Sequence, residues 1–143
     1  MNHSLSNLSN IYIRKSSKRE RVSSYDRTGG NADYIRLAAG EEVTICAIDG
    51  VGIINHIWMT MKSMDNEPYY YRKILLKVYY DDESEPSVLV PVGDFFGMGH
   101  GITKKFNSLP LQMSPKDGRG FNSWWPMPFR KRVRISLQSE CRG

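Results

Sequence analysis

The chain has 143 residues, 40% of them apolar and 11% aromatic, a composition that excludes disorder and, at this length, predicts one domain burying roughly two-thirds of its unfolded surface. Net charge is +5, from 20 Lys and Arg against 15 Asp and Glu, with much of the excess in Arg14–Arg21 and Arg130–Arg134. No apolar run of about 18 residues predicts a membrane helix, the two cysteines have neither zinc nor disulfide-framework spacing, and the first residues lack the pattern of a signal peptide, so the cytoplasm is the expected location.

Residues 5–13 carry an amphipathic pattern that predicts a short turn or helix, and 14–21 (RKSSKRER) read as a solvated connection. Residues 23–33 (SSYDRTGGNAD) predict a turn, because glycine and asparagine accept positive φ. The turn is dense in polar groups: Tyr25, Asp26, Arg27, Asn31 and Asp33. Two readings stand side by side. Either Asp26 pairs with Arg27 or Arg36 to tie the loop down, or these groups form the hydroxyl-recognising edge of a pocket.

Strands are predicted at Tyr34–Leu37 and Val43–Ile48, with Asp49-Gly50 as a hairpin turn into the next one. Cys46 lies in the second of these as a small hydrophobe. Residues 53–62 (IINHIWMTMK) alternate. As one strand they place Ile53, Asn55, Ile57, Met59 and Met61 on one face and Ile54, His56, Trp58 and Thr60 on the other. His56 and Trp58 then read as a packed surface pair rather than a sugar site.

Ile74, Leu76, Val78 and Tyr80 form the core face of a strand over 72–80, which DDESEP at 81–86 joins to a returning strand at 87–91. The acidic tip lacks the alternating ligand spacing of a calcium loop and reads as a solvated hairpin.

The most distinctive stretch is VPVGDFFGMGHG at 90–101. Pro91 ends a strand because it has no N–H to donate. The glycines allow close backbone approach, and no GK[ST] follows that would make a phosphate loop. Asp94, two phenylalanines and His100 make the stretch a candidate pocket wall. Further on, 107–113 is short and extended, and Asp117-Gly118 marks a turn. Trp124 and Trp125 cannot both face the core of an extended segment. One belongs at the surface or against a cavity, where it suits the apolar face of a sugar or a subunit interface.

Phe129, Lys131, Val133, Ile135 and Leu137 alternate with Arg130, Arg132, Arg134 and Ser136. No aromatic interleaves with the arginines for base stacking, so nucleic acid is not the expected partner. Altogether about seven or eight strands predict an all-β fold, a β-sandwich or jelly roll. The domain spans 23–138, after an N-terminal extension at 1–22 and before a polar tail at 139–143.

Four stretches in order carry a resemblance: SSYDRTGGNAD at 23–33, GVGIINHIW at 50–58, VPVGDFFGMGHG at 90–101 and DGRGFNSWWPMPFRK at 117–131. Together they resemble glycoside hydrolase family 172, formerly domain of unknown function 2961, over about Leu5 to Leu137. The resemblance implies two consecutive jelly rolls, of which this chain is the N-terminal half, and assembly into trimers or larger oligomers. It also implies exo-acting, retaining hydrolysis or transfer of α-linked fructofuranosyl or arabinofuranosyl residues. Retention uses two glutamates, a nucleophile and an acid/base, about 5 Å apart.

Glu20, Glu41, Glu42, Glu67, Glu83, Glu85 and Glu140 all lie outside the four stretches, so no catalytic residue is transferred. The family pattern does transfer a substrate-binding set: Asp26, Arg27, Asn31, Asp94, Phe96, His100, Asn122 and Trp125. No metal or cofactor is expected. The expectation is a truncated furanosidase-family chain, inactive alone, that supplies part of a sugar pocket. The alternative is a non-catalytic carbohydrate-binding or oligomerising jelly-roll module. The expected partners are a furanose-containing saccharide and either a second copy or the missing C-terminal half.

Overall fold

A computed structural model describes residues 16–142; the predicted helix or turn at 5–13 lies outside them, as does the start of the basic run. The elements are β1 (Glu42–Asp49), β2 (Gly52–Ile54), β3 (Ile57–Met59), β4 (Ile74–Tyr80), β5 (Val88–Pro91), α1 (Val92–Phe95), β6 (Phe106–Asn107), β7 (Leu111–Met113), β8 (Phe121–Ser123), β9 (Met127–Phe129) and β10 (Arg132–Ser139). The fold is all-β, as the sequence predicts, with every strand pair antiparallel. One four-stranded sheet has the order β1-β10-β4-β5, a second β3-β8-β7-β6, and β2-β9 forms a two-stranded piece.

Apolar side chains from the first sheet meet those of the other two pieces. Ile74 of β4 packs with Tyr71, Val92, Phe96, Met98, Met113 and Phe121, which joins the two large sheets. Leu76, Val78, Val133 and Ile135 pack with Met127 and Phe129 of β9. The β4 face read from the sequence is therefore the observed one, with Ile74, Leu76 and Val78 buried. The β4–β5 hairpin across the acidic tip also forms, in the register Leu76↔Val90 and Val78↔Val88.

Four local expectations need correction. The Asp49-Gly50 turn is not a hairpin: β1 pairs with β10 and β2 with β9. Both chains turn a corner together there, and Gly50 N–H donates to Lys131 O at 2.6 Å. The alternating run 129–137 is likewise two strands. Its corner is held by Asp81, whose Oδ1 accepts from the backbone N–H of Arg130 (2.8 Å), Lys131 (2.6 Å) and Arg132 (3.3 Å). Lys131 thus sits in a turn, not on a strand face. Residues 34–37 form no strand, since among the described residues no strand pairs with them and only Leu37 reaches the core. The polar tail starts one residue later than predicted, because β10 runs to the buried Ser139, whose N–H donates to Glu41 O.

Residues 42–59 and 121–138 form one long antiparallel ribbon that passes through all three sheet pieces. Its register slips twice. Ile45 is an extra residue between Thr44↔Ser136 and Cys46↔Ile135. Between Ile54↔Met127 and Ile57↔Ser123, Asn55 and His56 stand opposite Trp124, Trp125 and Pro126. Two residues facing three is a bulge, which bends the strand and re-aims side chains. It also corrects the single-strand reading of 53–62. Ile57 and Met59 share a face as predicted, and it packs inward, but before the bulge it is Ile54 that packs inward, while Ile53 is exposed.

The basic face of β10 is largely neutralised by the fold. Arg132 reaches Asp82 at 3.0 Å and Asp49 at 3.5 Å, and Arg134 stacks 3.7 Å above its cross-strand neighbour Tyr79. Beside them Glu42 accepts from Lys77 Nζ at 2.7 Å and from Ser136 Oγ at 2.5 Å. The Lys77 ammonium, then the Ser136 hydroxyl, hold the Glu42 carboxyl below its usual range.

Candidate functional site

The eight residues singled out from the sequence fall into three places: the 23–33 turn, the 92–101 loop, and the bulge after β8. Within the described residues no hydrogen bond, ion pair or ring contact joins the first place to the others.

In the 23–33 turn, Asp26 serves its own backbone. Its carboxylate accepts from Thr28 Oγ1 (2.7 Å), Thr28 N–H (2.8 Å) and Ala32 N–H (3.2 Å). The Thr28 hydroxyl, followed by these amides, holds the Asp26 carboxyl below its usual range. Asp33 accepts the Asp26 N–H at 2.7 Å. The expected ion pair with Arg27 or Arg36 does not form; each arginine lies over a tyrosine instead, Arg27 on Tyr25 and Arg36 on Tyr34. Asn31 takes φ 60, the positive angle its residue type tolerates.

In the 92–101 loop the acid and the glycines also have internal tasks. Asp94 pairs with Arg72 at 3.1 Å, and the same guanidinium donates to Gly99 O. Gly93 is buried against Tyr71, and a Cβ there would lie 3.0 Å from Tyr71 Cβ and 3.1 Å from Met98 O. Gly97 has φ 84 beneath the Phe106 ring. Phe96 is wholly buried and packs on Phe95 and Phe121, which places it in the core rather than on a surface a ligand can reach. Of the residues expected to wall a pocket here, His100 is exposed and Asp94 half-buried.

The third place is different. Asn122 lies on β8, directly opposite Trp58 of β3 and Gln112 of β7. Its neighbours Phe121 and Ser123 point inward, so strand alternation turns Asn122 to the outer face. Its Nδ2 donates to Gln112 O at 3.4 Å, which orients Oδ1 toward His56 Nε2, 3.1 Å away. His56 Nε2 is then the donor of this bond. The imidazole stacks on Trp124, centroids 5.0 Å apart and planes at 12°.

His56, predicted to pair with Trp58, therefore packs on Trp124, because the bulge brings 55–56 across from 124–126. The three tryptophans remain well exposed: Trp58 60%, Trp125 49% and Trp124 40%. The sequence argument reserved one surface position for the 124–125 pair; the extra residue of the bulge puts both there.

This arrangement offers what a neutral polyol needs. Indole faces suit the C–H face of a sugar, and the exposed imidazole can bond a hydroxyl; the Asn122 amide is only 8% exposed, and its bonds to His56 and Gln112 O hold the imidazole in place. Trp58, His56, Trp124 and Gln112 were not in the set transferred from the sequence. Their signal is the pairing of β3, β8 and β7, which local pattern does not reveal. Among the described residues no group of three or more His, Cys, Asp or Glu side chains is placed to hold a metal ion. No helix among them is long and apolar enough to cross a membrane.

The family model described as GH172 domain-like matches residues 29–142 of the chain. No curated protein matches the chain.

Proposed function

The chain belongs to the GH172 domain-like family, and from that premise we propose that it is the sugar-holding part of a furanosidase fold, binding a furanose-containing saccharide without cleaving it unaided. The observation that carries the reading is the His56–Asn122–Trp124 cluster with Trp58 and Trp125 exposed beside it. Asp94 and His100 are the loop groups we assign to the same task. Asp26, Arg27 and Asn31 belong to the reading as a separate hydroxyl-recognising turn. The jelly-roll winding, with a domain from residue 23 to the end of β10 at Ser139, goes with the same proposal.

The glutamates support binding without cleavage. Retaining hydrolysis needs two carboxyl groups about 5 Å apart and available to the sugar. Glu42 is held by Lys77 and Ser136, Glu67 by Lys73, Glu83 by Ser87, Glu41 by the Ala38 N–H and Glu20 by Lys18, while Glu85 and Glu140 are exposed outside the four matching stretches. We therefore assign no nucleophile and no acid/base to this chain.

Two measurements test the reading. Calorimetric titration with arabinofuranose or fructofuranose oligosaccharides is expected to show binding that Trp124→Ala weakens; absence of any binding overturns the proposal. The purified 143-residue chain is expected not to hydrolyse an aryl α-arabinofuranoside or α-fructofuranoside, and turnover in that assay sinks the non-catalytic part.

A further inference from the structure

The outer face of the β3-β8-β7-β6 sheet carries a row in strict register. Trp58 pairs with Asn122, Asn122 with Gln112, and Gln112 with Asn107, one residue from each of four adjacent strands. The neighbouring row on the same strands, Met59, Phe121, Met113 and Phe106, belongs to the core. Alternation thus aims the first row away from it. The row holds an indole and three carboxamides and no formal charge. His56 and Trp124 stand at the Asn122 end of it.

Cross-strand amide pairs contribute to sheet cohesion, yet only one side-chain hydrogen bond runs along this row, the long one from Asn122 Nδ2 to Gln112 O. Among the described residues neither the Gln112 nor the Asn107 carboxamide has a side-chain hydrogen bond within the protein. Three inter-strand steps of about 4.8 Å make the row about 14 Å long, which exceeds a single furanose ring. Its length and lack of charge suit a ligand that is elongated, uncharged and rich in hydroxyls. A charged partner would leave its charge facing amides and indole with no counter-ion.

We propose that this row is an extended saccharide platform, on which an oligosaccharide of several units lies across the strands from Trp58 and Trp124 toward Asn107. The inference rests on the saccharide-binding reading above and names the kind of ligand: a chain of sugars, not one terminal residue. Trp58 and Trp124 anchor one end by stacking, and Gln112 and Asn107 hydrogen-bond the units beyond it.

The test is calorimetric titration of the full chain with arabinofuranose oligosaccharides from dimer to hexamer, with pyranose oligosaccharides of the same lengths, and with the methyl furanoside. Affinity is expected to rise with length and then level off when the row is filled. Gln112→Ala and Asn107→Ala are each expected to weaken the longest ligand about three- to tenfold, the range of one hydrogen bond, and to leave the shortest unchanged. Both positions lie off the core, and circular dichroism checks that the variants fold.

Affinity independent of length, with both variants silent, overturns the platform while leaving saccharide binding intact. Length dependence lost in both variants, but with pyranose oligosaccharides preferred, supports the platform and overturns the furanose reading. No binding to any saccharide overturns both.

Discussion

The 92–101 loop and the 124–126 bulge make opposite uses of conspicuous residues. The loop has an acid, two phenylalanines, alternating glycines and a histidine, and most of these are consumed by the protein. Asp94 is paired with Arg72, Phe96 is in the core, and Gly93 and Gly97 are spaces into which Tyr71 and Phe106 fit. The bulge interrupts an ordinary alternating ribbon, yet it gathers His56, Asn122 and two exposed tryptophans. Unusual composition therefore marks a place of tight constraint, which here is mostly packing, while surface chemistry is collected by a slip of register.

Substitutions can break this contrast or sharpen it. The largest effect is expected in the loop's support: Phe96→Ala empties a wholly buried site and should cost about 3–5 kcal/mol in denaturant unfolding. Gly93→Ala comes next, at about 1–3 kcal/mol, since its Cβ must push Tyr71 or the Met98 carbonyl aside. A fully stable Gly93→Ala protein would show the loop to be less committed to packing than its geometry indicates. At the bulge, Trp124→Ala removes the His56 stack and should cost only about 0.5–1.5 kcal/mol of stability, with the greater loss in saccharide titration. Arg72→Ala, which breaks a half-exposed ion pair, should change stability by at most about 1 kcal/mol.

The smallest effect is a change in pH dependence. The amide N–H of Lys131, with those of Arg130 and Arg132, holds the Asp81 carboxyl below its unfolded value. A depressed carboxyl contributes stability that is present above the unfolded pKa of about 3.9 and is lost as pH falls through the folded one. Asp81→Asn should remove that acid-limb component, so acid unfolding curves of variant and parent converge below pH of about 4; unchanged separation would count against the corner-holding role.

What the sequence disclosed follows from how far each feature reaches along the chain. The β4–β5 hairpin was legible because period-two apolarity and an acidic turn are both local. The corner at 130–131 was not, because its cause is Asp81, 49 residues away from Arg130. The inward face of 57–61 was legible, but the flip at Ile54 was not, since a bulge is a count of residues on one strand relative to another. Asn122 and Trp125 were singled out by motif. Trp58, Gln112 and Asn107 join them only once strand register is known.

The two slips of the long ribbon also govern how its length can change through insertion or deletion. One strand carries a surplus residue at Ile45 and the other at 124–126, so the two offset each other over the whole ribbon. Removing any single residue from 124–126 would leave two residues facing two and erase the bulge, and with Ile54 held inward the continuous alternation of a strand would then turn Ile57 and its partner Ser123 outward. Phe121 would then face water and Asn122 the interior. Most surface connections tolerate added or lost residues. The acidic tip at 81–86 ends a hairpin and can vary in length beyond Asp81 and Asp82. The tryptophan segment, though equally exposed, is fixed in length by the parity of the sheet it interrupts.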